Sequence, residues 1–197
     1  MLKVGITGGI GSGKTTICKI FESLGVPVYY ADERAKWLMM HDLALKNAIC
    51  DIFSAAAYNQ EGTLNRTYIS DIIFKSSDKR RQLNELVHPA VQKDAAVWQF
   101  SQPAGTKYSL KESALLFESG ANLYLDKIIT VSAPKKIRIK RVQKRDQIPR
   151  TYVLNRMLAQ WTDAQREQKA DFVIKNNGQV SLLKQIINIH KLLIHNV

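Results

Sequence analysis

The run Gly8-Gly9-Ile10-Gly11-Ser12-Gly13-Lys14-Thr15 fits the pattern G-x-x-x-x-G-K-[ST]. Each residue type in that order has a chemical reason. Glycines let the backbone wrap an anion with its N–H groups turned inward. A helix beginning near Lys14 adds the positive end of its dipole. The Lys14 ammonium can reach the β- and γ-phosphates of a nucleoside triphosphate, and the Thr15 hydroxyl can ligate Mg²⁺. Gly9, Gly11, Ser12, Gly13, Lys14, Thr15 and Thr16 are therefore the candidate nucleotide-binding residues. A glycine-rich turn that merely contains Gly-Lys-Thr is the bland alternative. The position of the run between a predicted strand and a predicted helix argues against it. The loop specifies phosphate chemistry and leaves the acceptor open.

Other residues carry more than one reading. Asp32 lies two residues past the apolar segment Val26–Tyr30. A carboxylate at the C-terminal edge of a parallel sheet can take the proton of an attacking hydroxyl, and it can equally cap the helix that follows. Arg138, Arg141 and Arg145 recur at spacings of three and four, so they share one helix face. Their forked donors suit polyphosphate oxygens, with Arg141 the first candidate; a solvated basic face is the alternative. His88, before Pro89, either contacts a substrate or hydrogen-bonds a helix terminus at a junction between two helices. Glu118 either positions substrate or caps the next segment. Asn176 either approaches adenine or belongs to the turn Asn176-Asn177-Gly178. Trp37, Trp98 and Trp161 are read as packing residues.

These groups need a scaffold. Leu2–Thr7 alternates as a strand, and Thr15–Leu24 places Ile17, Ile20, Phe21 and Leu24 on one helical face before Gly25. Val26–Tyr30 is a second strand, giving a β-loop-α-β unit and a parallel sheet. Helical periodicity then dominates residues 31–103: Leu43–Phe53, Tyr68–Phe74, Leu83–Val87, and a helix from Pro89 to Phe100 with proline in its first turn. Strands return at Lys107–Ser113, Lys127–Ser132 and Phe172–Ile174. Pro134 and Pro149 open two basic helices, and Ser181 caps a last amphipathic helix. The two proline-opened helices fit a lid that keeps water from the γ-phosphate.

The chain has 197 residues and a formal net charge of +12, which favours anionic ligands. Cys18 and Cys50 are far apart and lack metal-ligand spacing. The N-terminus has no signal-peptide anatomy, and no run of about 18 apolar residues occurs. A soluble cytoplasmic protein with no membrane partner is expected. No RNA-binding signature accompanies the charge, so no nucleic-acid partner is expected either.

The ordered set of motifs resembles the dephospho-CoA kinase family over nearly the whole chain. Thr7–Thr16 resembles its TGGIGSGKS/TT run, and Leu24-Gly25-Val26-Pro27-Val28 with Ala31-Asp32 its LGxPVIDAD segment. His88-Pro89, Leu115-Leu116-Phe117-Glu118 and Arg141 with Arg145-Asp146 resemble its HP pair, PLLFE box and RxxxRD. Gln160, Ala170-Asp171 and Asn176 fall where it carries Q, AD and N. The resemblance implies a three-layer α/β/α parallel-sheet P-loop kinase core (1–30, 104–133 and 163–197), a helical CoA-substrate-binding insertion (31–103) and a helical lid (134–162). It implies phosphorylation of the ribose 3′-hydroxyl of dephospho-CoA by ATP with Mg²⁺. Asp32 matches the proposed general base, Lys14 and Arg141 serve transfer, and Arg145 belongs to the lid. Departures exist. Tyr30 stands for the first Asp of the DAD segment, and Ala114 for the Pro of PLLFE. Glu112, at the end of the third strand, could replace an Asp as partner of Mg²⁺ or water, or pair with Lys111. A different nucleotide kinase and a nucleic-acid-binding P-loop protein are the competing readings.

Overall fold

The computed structural model of the chain describes residues 1–195. Its strands β1 (Leu2–Thr7), β2 (Val28–Tyr30), β3 (Tyr108–Glu112), β4 (Lys127–Ser132) and β5 (Phe172–Lys175) form one parallel sheet in the order β2-β3-β1-β4-β5. Strand alternation divides the side chains between two faces. Val4 and Ile6 of β1, Leu110 of β3, Ile129 and Val131 of β4 and Ile174 of β5 share one core. Helix α1 (Lys14–Ser23) adds Ile17, Cys18 and Phe21 to it, and α9 (Leu182–His195) adds Ile186, Ile189 and Leu193. On the other face Ile128 packs with Leu116 and Phe117, and Trp161 stacks on Phe117 with centroids 5.1 Å apart. The sheet is thus covered on both sides, as an all-parallel sheet must be.

Local signals set the element ends. Gly25 follows the last turn of α1 at φ +80° and donates to the Glu22 carbonyl, a left-handed stop. Thr162 and Gln165 form a capping box that starts α8 (Asp163–Lys169). Pro134 and Pro149 precede α6 (Lys135–Asp146) and α7 (Arg150–Leu158), where a missing N–H costs nothing. Register aligns Ile6, Glu112 and Tyr30 on three neighbouring strands, so the C-terminal ends of β1, β3 and β2 lie side by side.

The chain divides into two compact units, residues 1–30 with 101–197 and residues 31–100. The helices expected to form a lid belong to the same unit as the sheet. The second unit contains α2 (Ala31–His41), α3 (Leu43–Phe53), α4 (Arg66–Lys75) and α5 (Ser77–Phe100), as the helical periodicity predicts. Its core includes Leu38, Leu45, Ile49, Phe53, Ile69, Val87 and Val91. Arg34 of α2 donates two hydrogen bonds to Asp94 of α5 at 2.9 and 2.6 Å.

Two expectations in this unit are corrected. Pro89 does not open a helix; it lies inside α5. Proline removes one N–H from the ladder, and the surrounding pattern carries the helix past it. His88 is accordingly an exposed mid-helix residue, not one at a junction. Trp37 is not core packing: it is 43% exposed, between Arg34 4.3 Å from its ring centroid and His41 stacked at 4.4 Å.

Ile186 is fully buried between α9 and the sheet. Replacing Ile186 with Ala is expected to lower unfolding stability by about 2–5 kcal/mol in urea titrations.

Candidate active site

The P-loop follows β1 directly and ends in α1. Gly13 is the N-cap of α1 and has no side chain to cap with, so the first N–H groups of the helix carry no side-chain cap. Its φ of +98° suits glycine, and a Cβ there would lie 2.3 Å from Nδ2 of Asn176. Ser12 donates its N–H to the Gly9 carbonyl at 3.0 Å and closes the loop's turn.

The outward carbonyls of the loop each meet a side-chain donor. Arg138 Nε donates to Ile10 O at 3.1 Å. Arg141 lies 3.4 and 3.3 Å from Gly11 O and Ser12 O, and Asn176 Nδ2 donates to Ser12 O at 2.8 Å. Arg141 also donates to Asn176 Oδ1 at 3.2 Å. A trans peptide points its N–H opposite its C=O. Donors outside the Ile10 and Ser12 carbonyls therefore turn the N–H groups of Gly11 and Gly13 inward.

Lys14 is buried; its Nζ donates to Gly8 O at 3.0 Å and lies 3.7 Å from Glu112 Oε1. Glu112 is the last residue of β3, so the central strands bring ammonium and carboxylate together at the sheet edge. Thr15 and Thr16 are exposed at the start of α1. The hydroxyls of Ser12 and Thr7 are buried without a hydrogen-bond partner among the described residues. Inward N–H groups, an uncapped helix start, unspent hydroxyls and a lysine fit a polyphosphate. The hard oxygens of Thr15 and Glu112 fit Mg²⁺, which takes few protein ligands alongside phosphates.

The remaining candidates fall in different places. Arg138 is buried and holds both Asp163 oxygens through Nη1 at 2.7 and 2.8 Å; Asp163 also accepts from Arg166, which is fully buried. Arg145 is exposed and bound to Asp146 at 2.6 Å, and Arg156 shares the same carboxylate at 3.0 Å. Three arginines on one stripe thus serve three purposes: a buried brace, a loop contact and a surface pair. Asn176 lies against the P-loop backbone, with both ends of its amide engaged by Ser12 and Arg141. Glu118 Oε1 accepts the Trp161 N–H at 2.8 Å. His88 and Asp32 belong to the helical unit, Asp32 being exposed in the first turn of α2. Burial, and then the neighbouring Cys18 and Glu22, push the Tyr30 hydroxyl well above its ordinary range. Tyr30 stays protonated and cannot replace a carboxylate as a base.

Residues 2–181 match the model of a family described as CoaE, dephospho-CoA kinase. A dephospho-CoA kinase of Salinibacter ruber is 38% identical over 187 residues, 94% of each chain. The chain belongs to the dephospho-CoA kinase family. Among solved structures, dephospho-CoA kinase from Campylobacter jejuni superposes with a TM-score of 0.71 at 26% identity, covering 99% of this chain and 98% of that one. TT1252 from Thermus thermophilus reaches 0.83 at 27% identity, covering 100% and 97%.

Within this family member, Asp163 and Arg166 are residues that motif reading missed. The sequence Thr162-x-x-Gln165 signals a helix start, and that start places Asp163 and Arg166 one turn apart. Their partner Arg138 is 25 residues away from Asp163 and carries no such signal. Replacing Asp163 with Ala would leave Arg138 and Arg166 buried without their shared carboxylate. The expected loss is about 3 kcal/mol of unfolding stability in urea titrations.

Proposed function

We infer that the chain transfers the γ-phosphate of ATP to the ribose 3′-hydroxyl of dephospho-CoA, yielding coenzyme A and ADP, the last step of CoA biosynthesis. The observation that carries this reading is the braced P-loop with Lys14 and Glu112 at the sheet edge, in a chain matching the dephospho-CoA kinase family from residue 2 to 181. The reaction takes place where ATP is plentiful, the cytoplasm.

The reaction is an in-line displacement. The ribose 3′-oxygen forms a bond to the γ-phosphorus as the bond to the β,γ-bridging oxygen breaks, and ADP leaves with that electron pair. Asp32 takes the hydroxyl proton; its place two residues beyond β2 supports this role. Gly9, Gly11, Ser12, Gly13, Thr15 and Thr16 hold the donor phosphates through the loop backbone and the start of α1. Lys14 exchanges its Gly8 carbonyl for β- and γ-phosphate oxygens, and Arg141 neutralises charge at the loop. Thr15 and Glu112 are the residues suited to Mg²⁺, which supplies charge neutralisation of the phosphates when bound. Asn176 acts on the nucleotide through Ser12 and Arg141. The helical unit 31–100 takes the acceptor, with His88 and Glu118 as further candidates for substrate contact. Residues 134–162 form the lid that excludes water, and Arg145 reaches the nucleotide on release from Asp146.

A coupled ADP-release assay with ATP and a panel of acceptors tests the assignment. Turnover with dephospho-CoA well above that with nucleosides or shikimate is expected; folded protein without such turnover would sink it. For Asp32→Asn, turnover is expected to fall about 10²–10⁴-fold with ATP affinity retained. Near-normal turnover would remove Asp32 from the base role.

A further inference from the structure

Ile10 occupies an unusual place in the P-loop. Its side chain packs with the α6–α7 cluster of Ile139, Val142 and Val153. Its carbonyl accepts from Arg138. Its N–H does not face the cradle: it donates to Gln160 Oε1 at 2.8 Å. The same Gln160 side chain donates through Nε2 to the Ala114 carbonyl at 3.1 Å, just beyond β3. Gln160 lies between α7 and α8, and the next residue, Trp161, donates its N–H to Glu118 of the loop after β3. One amide therefore ties the segment after α7 to the P-loop and to the strand that carries Glu112.

The geometry has a directional consequence. Peptide planarity makes the Gly9–Ile10 unit a rigid plate. With Ile10 N–H fixed on Gln160, the Gly9 carbonyl is fixed on the opposite side, where it accepts the Ser12 N–H. Arg138 fixes the next plate through Ile10 O, which turns the Gly11 N–H inward. The two plates meeting at Ile10 thus have their orientations set from outside the loop. Neither Gln160 nor Arg138 needs to touch a phosphate to do this.

We propose that Gln160 is a positioning residue for the donor triphosphate, acting through the Ile10 peptide. Removing it leaves a part-buried N–H without an acceptor, and the Gly9–Ile10 plate keeps only the Ser12 N–H on its Gly9 carbonyl. The inward N–H groups then lose their fixed aim, and affinity for the polyphosphate falls. Acceptor affinity is untouched, because the acceptor does not bind through these plates. This inference rests on ATP being the donor.

The test compares wild type, Gln160→Leu and Gln160→Glu in direct ATP titrations, steady-state kinetics with both substrates, and thermal unfolding. Leucine fills the space and makes neither hydrogen bond; glutamate retains an acceptor for the Ile10 N–H. Q160L is expected to raise the ATP Kd and KM about tenfold, with the dephospho-CoA KM unchanged. Q160E is expected to stay within about threefold of wild type for ATP, since the acceptor is the bond that matters. ATP affinity equal to wild type in Q160L overturns the proposal. So does an equal rise in both KM values with lowered thermal stability, which is what general loosening of the fold would give. If Q160L does not fold, a large loss of ATP affinity in folded Q160E contradicts the proposal by itself. Absence of ATP binding to wild type would instead remove the donor assignment, a separate result.

Discussion

A loop that turns its N–H groups toward an anion must turn carbonyls away from it, and those carbonyls need donors. This constraint organises the site. The Ile10, Gly11 and Ser12 carbonyls meet Arg138, Arg141 and Asn176, which come from α6 and from the end of β5. The loop is held from outside in the shape that a polyphosphate needs. Preorganised donors do not have to reorient when charge develops during transfer.

The brace reaches further than the loop. Arg138 is oriented by Asp163, which is held in turn by the buried Arg166. Burying two guanidiniums against one partly exposed carboxylate stabilises the fold only when each is paired and hydrogen-bonded. Here the pairing serves placement as well, because it fixes the guanidinium that holds Ile10. A Cβ on Gly9 would lie 2.5 Å from that guanidinium, so the close approach of α6 to the loop also sets the loop's composition.

Much of this architecture was legible in the sequence. The phosphate loop, the strands β1 and β4 and the helix Leu43–Phe53 follow from local pattern, because alternation and helical spacing are set within a few residues. The helical character of residues 31–100 was legible for the same reason. What stayed hidden depends on distant partners. Arg138, Arg141 and Arg145 are alike in spacing and chemistry, and only the tertiary structure separates brace, loop contact and surface pair. Gln160 stands 150 residues from Ile10, so no window of sequence joins them. Pro89 misled because a local rule, that proline starts or stops a helix, yielded to the packing of α5 around it.

The outer donors hold the cradle in shape before the nucleotide arrives. The most direct measurement is a pair of crystal structures, one without nucleotide and one with a non-hydrolysable ATP analogue. The Gly8–Thr15 backbone is expected to superpose within about 1 Å, as in preorganised sites, with the Arg138, Arg141, Asn176 and Gln160 bonds kept in both. A loop that rebuilds on binding and breaks those bonds would contradict it.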